Sequence, residues 1–168
     1  MSAVINGRRT ATLDDEAVVF IIGMRINRWR SPRSWLPAFR AMPRMLAELF
    51  KDPSLGLKGA QWFWAGRTIA YVQYWESWEK LNAYARARDH EHLPAWSEFN
   101  RLVRDSGTVG IFHETYRVGP GRAETLYANM PPFGLASAFG GAPVASRGQS
   151  AGHRMNPKVA DVPAVEPY

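Results

Sequence analysis

The run AVVFIIGM, Ala17 to Met24, restricts the possible folds more than any other stretch of the chain. β-Branched and other apolar residues fill it. Its first half is apolar on both sides of a strand repeat, the pattern of a strand covered on both faces. From Met24 the residues alternate, with Met24, Ile26 and Arg28 on one side, and the strand is expected over 17–29. Such a strand belongs inside a sheet, with one layer above it and another below.

The residues that follow supply the first layer. Ser31-Pro32 and Ser34 carry turn and cap chemistry. Leu36, Phe39, Pro43, Leu46 and Phe50 then recur at helical spacing and form an apolar stripe. Pro37 suits a first turn, whereas Pro43 removes an internal hydrogen bond and is expected to kink or restart the helix. Asp52-Pro53 closes the element. Residues 57–65 and 68–75 read as strands around Gly66-Arg67, a hairpin signal. Ser77 caps a second helix with Trp78, Leu81 and Ala85 on one side. The pattern breaks at Arg88-Asp89-His90. A new stripe runs from His92 through Trp96, Phe99 and Val103 towards Gly107, a good residue to follow a helix end. Residues 108–118 alternate as a strand, with Val109, Ile111, His113 and Thr115 sharing one face, and 124–130 give a short extra strand.

The order is therefore β-α-β-β-α-β, and the expected class is α+β: a ferredoxin-like antiparallel sheet with both helices on one face, plus an extra strand. One sheet face is left bare. A second copy is its natural cover, closing a dimeric α/β barrel, so a homodimer is expected. Residues 1–16 are polar and aperiodic and are expected to form an irregular arm. The domain proper is expected over 17–135. Residues 136–168 are expected to be a flexible Pro/Gly/Ala-rich tail, because six of the 12 prolines follow Met130 and little apolar surface offsets the entropy of ordering. Phe133 and Leu135 anchor its start. A length of 168 residues suits one domain with a tail.

Composition narrows the function. The net charge is +6, but the basic residues are scattered among acidic ones with no long like-charge run, so nucleic acid is not the expected partner. There are no cysteines, which excludes disulfides, thiolate metal sites and a cysteine nucleophile. No apolar segment follows Arg8-Arg9 and no apolar run approaches the ~20 residues of a membrane span, so a cytoplasmic protein with no membrane partner is expected. The dense aromatics at Trp62, Trp64, Tyr71, Tyr74 and Trp75 suit either sheet packing or the wall of a hydrophobic pocket.

Candidate chemistry centres on residues 87–117, which hold three of the four histidines. His92 opens a helix and shares its apolar face with Trp96. Such a residue is ordinarily a hydrogen-bonded first-turn side chain. His90 lies two residues away, which on a helix points its ring elsewhere, and no H-E-x-x-H motif occurs, so zinc is not expected. His113 projects from a strand among apolar neighbours. It is either a satisfied interior histidine or a proton-transfer group whose neutral form burial favours. His153 lies in the tail and is given no role. Phosphate-binding, dinucleotide and serine-nucleophile motifs are missing. What remains is a histidine-bound cofactor or an aromatic-lined pocket.

Three segments, HLPAWSEFNRLV, GIFHETY and YANMPPFGL, resemble the fumagillin-pathway monooxygenase-like family of the dimeric α/β-barrel superfamily, over roughly Val18 to Leu135. That resemblance implies oxygenation. His90-Glu91-His92-Leu93 and His113-Glu114 are also similar, more distantly, to the haem-ligating and distal histidine segments of aldoxime dehydratases, two-domain enzymes that hold haem b. Carried over, the resemblance implies His92 as proximal iron ligand with Trp96 beside the cofactor, and His113 as the catalytic distal acid/base, 21 residues further on. For the dehydratases' distal arginine and serine, the hairpin position offers Arg67 and Thr68. The leading expectation is a haem-dependent lyase or monooxygenase-like oxidoreductase acting on a small, hydrophobic or aromatic molecule. The alternatives are a cofactor-free monooxygenase using His113 as base, and a non-enzymatic carrier of haem or another small molecule.

Overall fold

The computed structural model describes residues 3–90, 92–103 and 106–165. They fall into two units, one spanning Val18–Tyr116 and the other built from the residues before Val18 and after Tyr116.

The first unit is an α+β, ferredoxin-like arrangement. β2 (Ala17–Ile26), β4 (Thr68–Trp75), β3 (Leu57–Ala65) and β5 (Val109–Val118) form a four-stranded sheet in the order β3-β4-β2-β5. β2 is an inner strand, as its two-sided apolar character requires, and pairs antiparallel with β4 from Val18↔Trp75 to Arg25↔Thr68. β3 and β4 are joined through Gly66, whose φ of 59° is the left-handed conformation a tight hairpin needs. β3 and β5 are edges, so the sheet is open and not a closed barrel within one chain.

Three helices accompany the sheet: α1 (Pro32–Lys51), α2 (Trp78–Arg86) and α3 (His92–Val103). Ser77 caps α2 by accepting the Lys80 N–H at 3.2 Å. Of the expected kink or restart at Pro43, the restart does not occur, and the helical assignment of α1 runs through it. Pro43 is exposed, so water can satisfy the carbonyl its missing N–H leaves unpaired. The buried stripe of α1 also differs from the expected one. Met45 and Leu49 are buried, while Phe39 and Phe50 are 43% and 56% exposed. Of residues 104–107, where α3 was expected to end, Arg104 and Asp105 lie outside the described residues.

Two packed clusters hold helices to sheet. Val18, Leu49, Leu57, Trp75, Leu81 and Tyr84 form one; Met24, Ile26, Val103 and Val109 form the other. Val18, Met24 and Ile26 share one face of β2, and the residues between them on that face, Phe20 and Ile22, line a cavity. On the opposite face Gly23 lets Phe112 approach closely: a Cβ there would meet the Phe112 ring at 2.6 Å and the Ile69 carbonyl at 2.7 Å. Phe63, Phe112 and Tyr116 on that face remain 44%, 37% and 49% exposed.

The second unit corrects two expectations. The N-terminal residues, expected to be irregular, form β1 (Ile5–Ala11), which pairs antiparallel with β6 (Tyr127–Met130) on one side and β7 (Gly141–Pro143) on the other. Its sequence INGRRTA lacks an apolar repeat because the main-chain ladder and the Thr10–Thr125 hydroxyl contact hold it instead. The segment after Leu135, expected to lack regular elements, completes α4 (Gly134–Phe139) and adds β7 and α5 (Ala151–Met155). Val144 is buried, and Asp161 accepts the N–H groups of Gln149 and Ser150 at 2.8 and 2.7 Å. Polar anchoring of this kind leaves no hydrophobic period to read. Among the described residues, no helix is long and apolar enough to cross a membrane.

Candidate functional site

The cavity between the helices and the inner face of the first unit's sheet measures about 350 Å³, within the roughly 300–1,000 Å³ of small-molecule pockets. β2 contributes Phe20, Ile22 and Met24. α1 contributes Met42 and Met45 among others, and α3 contributes His92, Trp96 and Phe99. Ile69 and Tyr71 come from β4, and Ile111, His113 and Thr115 from alternate positions of β5. No Lys, Arg, Asp or Glu lines it among the described residues.

His92 and His113 thus line one cavity. His92 is the first residue of α3, and its Nδ1 lies 3.0 Å from the carbonyl oxygen of Ala85. Ala85 is in the last turn of α2, where carbonyls have no partner within the helix. A carbonyl can only accept, so Nδ1 carries the proton and the neutral ring keeps its lone pair on Nε2. Burial pushes the His92 pKa below its ordinary 6.5, against the opposing pull of the Ala85 carbonyl, and the His113 charge adds to the lowering. The result is a half-buried imidazole held as a neutral donor at the cavity wall.

His113 differs from the expected interior residue. It lines the cavity but is exposed, because β5 is an edge strand whose residues from Phe112 to Arg117 are all open to solvent. Its ring packs against Phe20, with centroids 5.7 Å apart. Trp96 lines the cavity, is 44% exposed, and stacks on Phe99 at 5.6 Å.

His90 is directed elsewhere. Its Nδ1 lies 2.8 Å from Glu48 Oε1, and the other carboxylate oxygen of Glu48 accepts the Tyr84 hydroxyl at 2.7 Å. His90 does not line the cavity. Glu91, between the two histidines, lies outside the described residues. Arg67 and Thr68 are not brought to the site either: Arg67 donates to the Asn27 carbonyl at 3.2 Å, and Thr68 accepts from Arg25 at 3.5 Å. Among the described residues no three His, Asp or Glu side chains converge to chelate an ion. A metal here would have to bring most of its ligands with it, as a porphyrin does.

Sequence reasoning missed Asn82 and the Met42–Met45 pair in this lining, whereas Tyr71 was among the aromatics it offered for a pocket wall. Asn82 carried a usable signal, a polar residue one helical turn from both Trp78 and Ala85.

The comparisons with known proteins agree with this architecture. No curated protein sequence matches the chain. A solved structure of an aldoxime dehydratase in complex with butyraldoxime aligns with a TM-score of 0.60 at 15% identity, over 83% of this chain and 42% of that one. The chain therefore spans less than half the length of that enzyme, and the likeness shows a shared fold. SnoaB, a cofactor-independent oxygenase from Streptomyces nogalater, aligns with a TM-score of 0.43 at 12% identity, over 61% of this chain and 91% of that one. A dimeric ferredoxin-like protein of unknown function from Jannaschia sp. aligns with a TM-score of 0.40 at 16% identity, over 58% and 97%. At the level of sequence, the family described as Monooxygenase af470-like matches residues 17–135, most of the chain and all of the cavity-bearing unit. The chain belongs to the Monooxygenase af470-like family.

Proposed function

We propose that the chain is an enzyme that holds haem b in this cavity, with His92 as the residue that would ligate the iron and His113 as the acid/base acting on a small organic substrate. The observation that carries the reading is the Nδ1–H of His92 donated to the Ala85 carbonyl. A backbone carbonyl that fixes the tautomer and ring of a buried neutral histidine is the usual support for an imidazole metal ligand. The apolar and thioether lining suits a macrocycle, and Trp96 in that lining supports the reading as a residue that would contact it. Among the described residues no Lys or Arg lines the cavity, so the propionates would have to emerge towards solvent. When bound, the haem would supply iron redox or Lewis-acid chemistry to the substrate.

The rest of the work falls to side chains. Phe20, Ile22 and Ile111 keep water from the reacting centre. His113 holds a proton at the cavity mouth, gives it to a departing hydroxyl or takes it from a substrate C–H or O–H, and exchanges it with solvent because its ring is exposed. Removing the His92 imidazole tests the assignment. Reconstituted wild-type protein should show a Soret band that His92→Ala lacks, and an equal band in both would refute the ligand.

A cofactor-free oxygenase is the second reading, favoured by a lining that, among the described residues, carries no Lys or Arg to receive the propionates. In it His113 is the base that deprotonates an aromatic substrate, and a colourless protein that turns substrate over would support it. In either case a second copy covering Phe63, Phe112 and Tyr116 completes a dimeric barrel.

A further inference from the structure

We infer that Asn82 is the residue that selects the substrate of this cavity, and that the ligand is an uncharged molecule with an apolar body and one polar head that both donates and accepts a hydrogen bond. The inference rests on the reading of the cavity as a substrate site but does not depend on haem.

Asn82 lies in α2 three residues before Ala85, on the side of that helix that faces the cavity. Its carboxamide has no hydrogen-bond partner among the described residues. Nor is it a sealed packing defect, since no buried side-chain polar atom among them lacks a partner. Asn82 is thus a half-buried lining residue whose carboxamide is accessible and not engaged by the protein. Tyr71, on β4, lines the same cavity, and its hydroxyl is likewise without a partner among the described residues.

The wall around these groups is apolar and carries no Lys, Arg, Asp or Glu among the described residues. A carboxylate, phosphate or ammonium would enter without a counter-charge and lose its hydration. A carboxamide offers an N–H and a C=O side by side, and its complement is a head that does both jobs, such as an oxime or an amide. A site built to hydrogen-bond such a head rejects analogues without it more strongly than an apolar pocket can. Because Asn82 and Ala85 share a helix face, a head bound at Asn82 lies along the wall that also fixes His92.

The test uses one aromatic body with three heads, in benzaldoxime, benzoate and benzylammonium, and toluene as the headless control. Trp78 and Trp96 line the cavity, so their emission reports binding without reference to turnover. Wild-type protein should bind benzaldoxime at least ten-fold more tightly than benzoate or benzylammonium. Asn82→Leu, of similar volume and good helix propensity, should lose about ten-fold in benzaldoxime affinity and keep its toluene affinity, which shows that the cavity is intact. Asn82→Asp should bring a preference for benzylammonium, and Tyr71→Phe a smaller loss for benzaldoxime. Failure of benzaldoxime to bind more tightly than its charged congeners overturns the inference, as does an unchanged benzaldoxime affinity in Asn82→Leu. A Soret band measured on the same samples separates the two ideas. Head selectivity without haem uptake sinks the haem reading and leaves this one standing.

Discussion

The Nδ1 of His92 and the carbonyl of Ala85, 3.0 Å apart, join the first residue of one helix to the last turn of the preceding one. Across the break between α2 and α3, this bond sets the ring's tautomer and turns one edge of it towards the cavity. The proton must sit on Nδ1, so a ligand for iron can come only from Nε2.

Haem retention should therefore depend on His92 and not on its neighbour. His92→Ala should lose the Soret band, while His90→Ala, whose ring is bonded to Glu48 outside the cavity, should keep it. Absorbance of the three reconstituted proteins at equal concentration decides the matter. Loss in His90→Ala alone would reverse the assignment.

At His113, binding and turnover should separate. His113→Ala should retain haem while kcat falls by about 10²-fold or more, the usual worth of a positioned acid/base. His113→Gln keeps a hydrogen-bond donor but cannot titrate, and should recover little. Haem content and single-turnover rate measured together provide the check, and full turnover in His113→Ala would make the residue a structural one.

Protonation of His92 sets a pH limit. Its folded pKa lies below the ordinary 6.5, so between those two values the unfolded chain binds more protons than the folded one and stability rises with pH. The contribution is complete above 6.5 and is lost as pH falls through the folded value. Thermal melts across this window should show a steeper acid loss in wild type than in His92→Gln, and equal slopes would show that this proton is not involved.

Gly23 should tolerate no side chain. Gly23→Ala places a methyl against the Phe112 ring and the Ile69 carbonyl, and the backbone carbonyl cannot swing away. The expected cost is about 1–3 kcal/mol, read as a fall of roughly 2–4 °C in Tm per kcal/mol. Gly23→Ala combined with Phe112→Ala should recover only part of it, because the carbonyl contact remains.

Light scattering should give twice the 18.9 kDa of one chain, through the face that carries Phe63, Phe112 and Tyr116. Phe112→Glu should yield monomer, and a wild-type monomer at micromolar concentration would remove the barrel from consideration.

The parts of this structure legible in the sequence are those with a clean period. Alternation from Val109 to Thr115 placed Ile111 and His113 on one side of β5, and the stripe from His92 to Phe99 placed Trp96 beside them. In α1 the period was ambiguous. Of the expected stripe Phe39 lines the cavity together with Met42 and Met45, which were not in it, while Phe50 faces solvent. β1 was illegible because a strand held by its ladder and by Thr10 needs no apolar repeat. The exposure of His113 was hidden for another reason: periodicity tells which side a residue takes, but edge position depends on strand order.

The hollow between the two packed clusters has a thermodynamic consequence. Side chains that border empty space lack contact partners on one side, and a bound molecule supplies them. Whatever fills the space is then part of the folded state, and its binding shifts unfolding by mass action. Melting temperature becomes a substrate screen that needs no knowledge of the reaction: among candidate compounds, the one that raises it most at equal concentration completes the interior best.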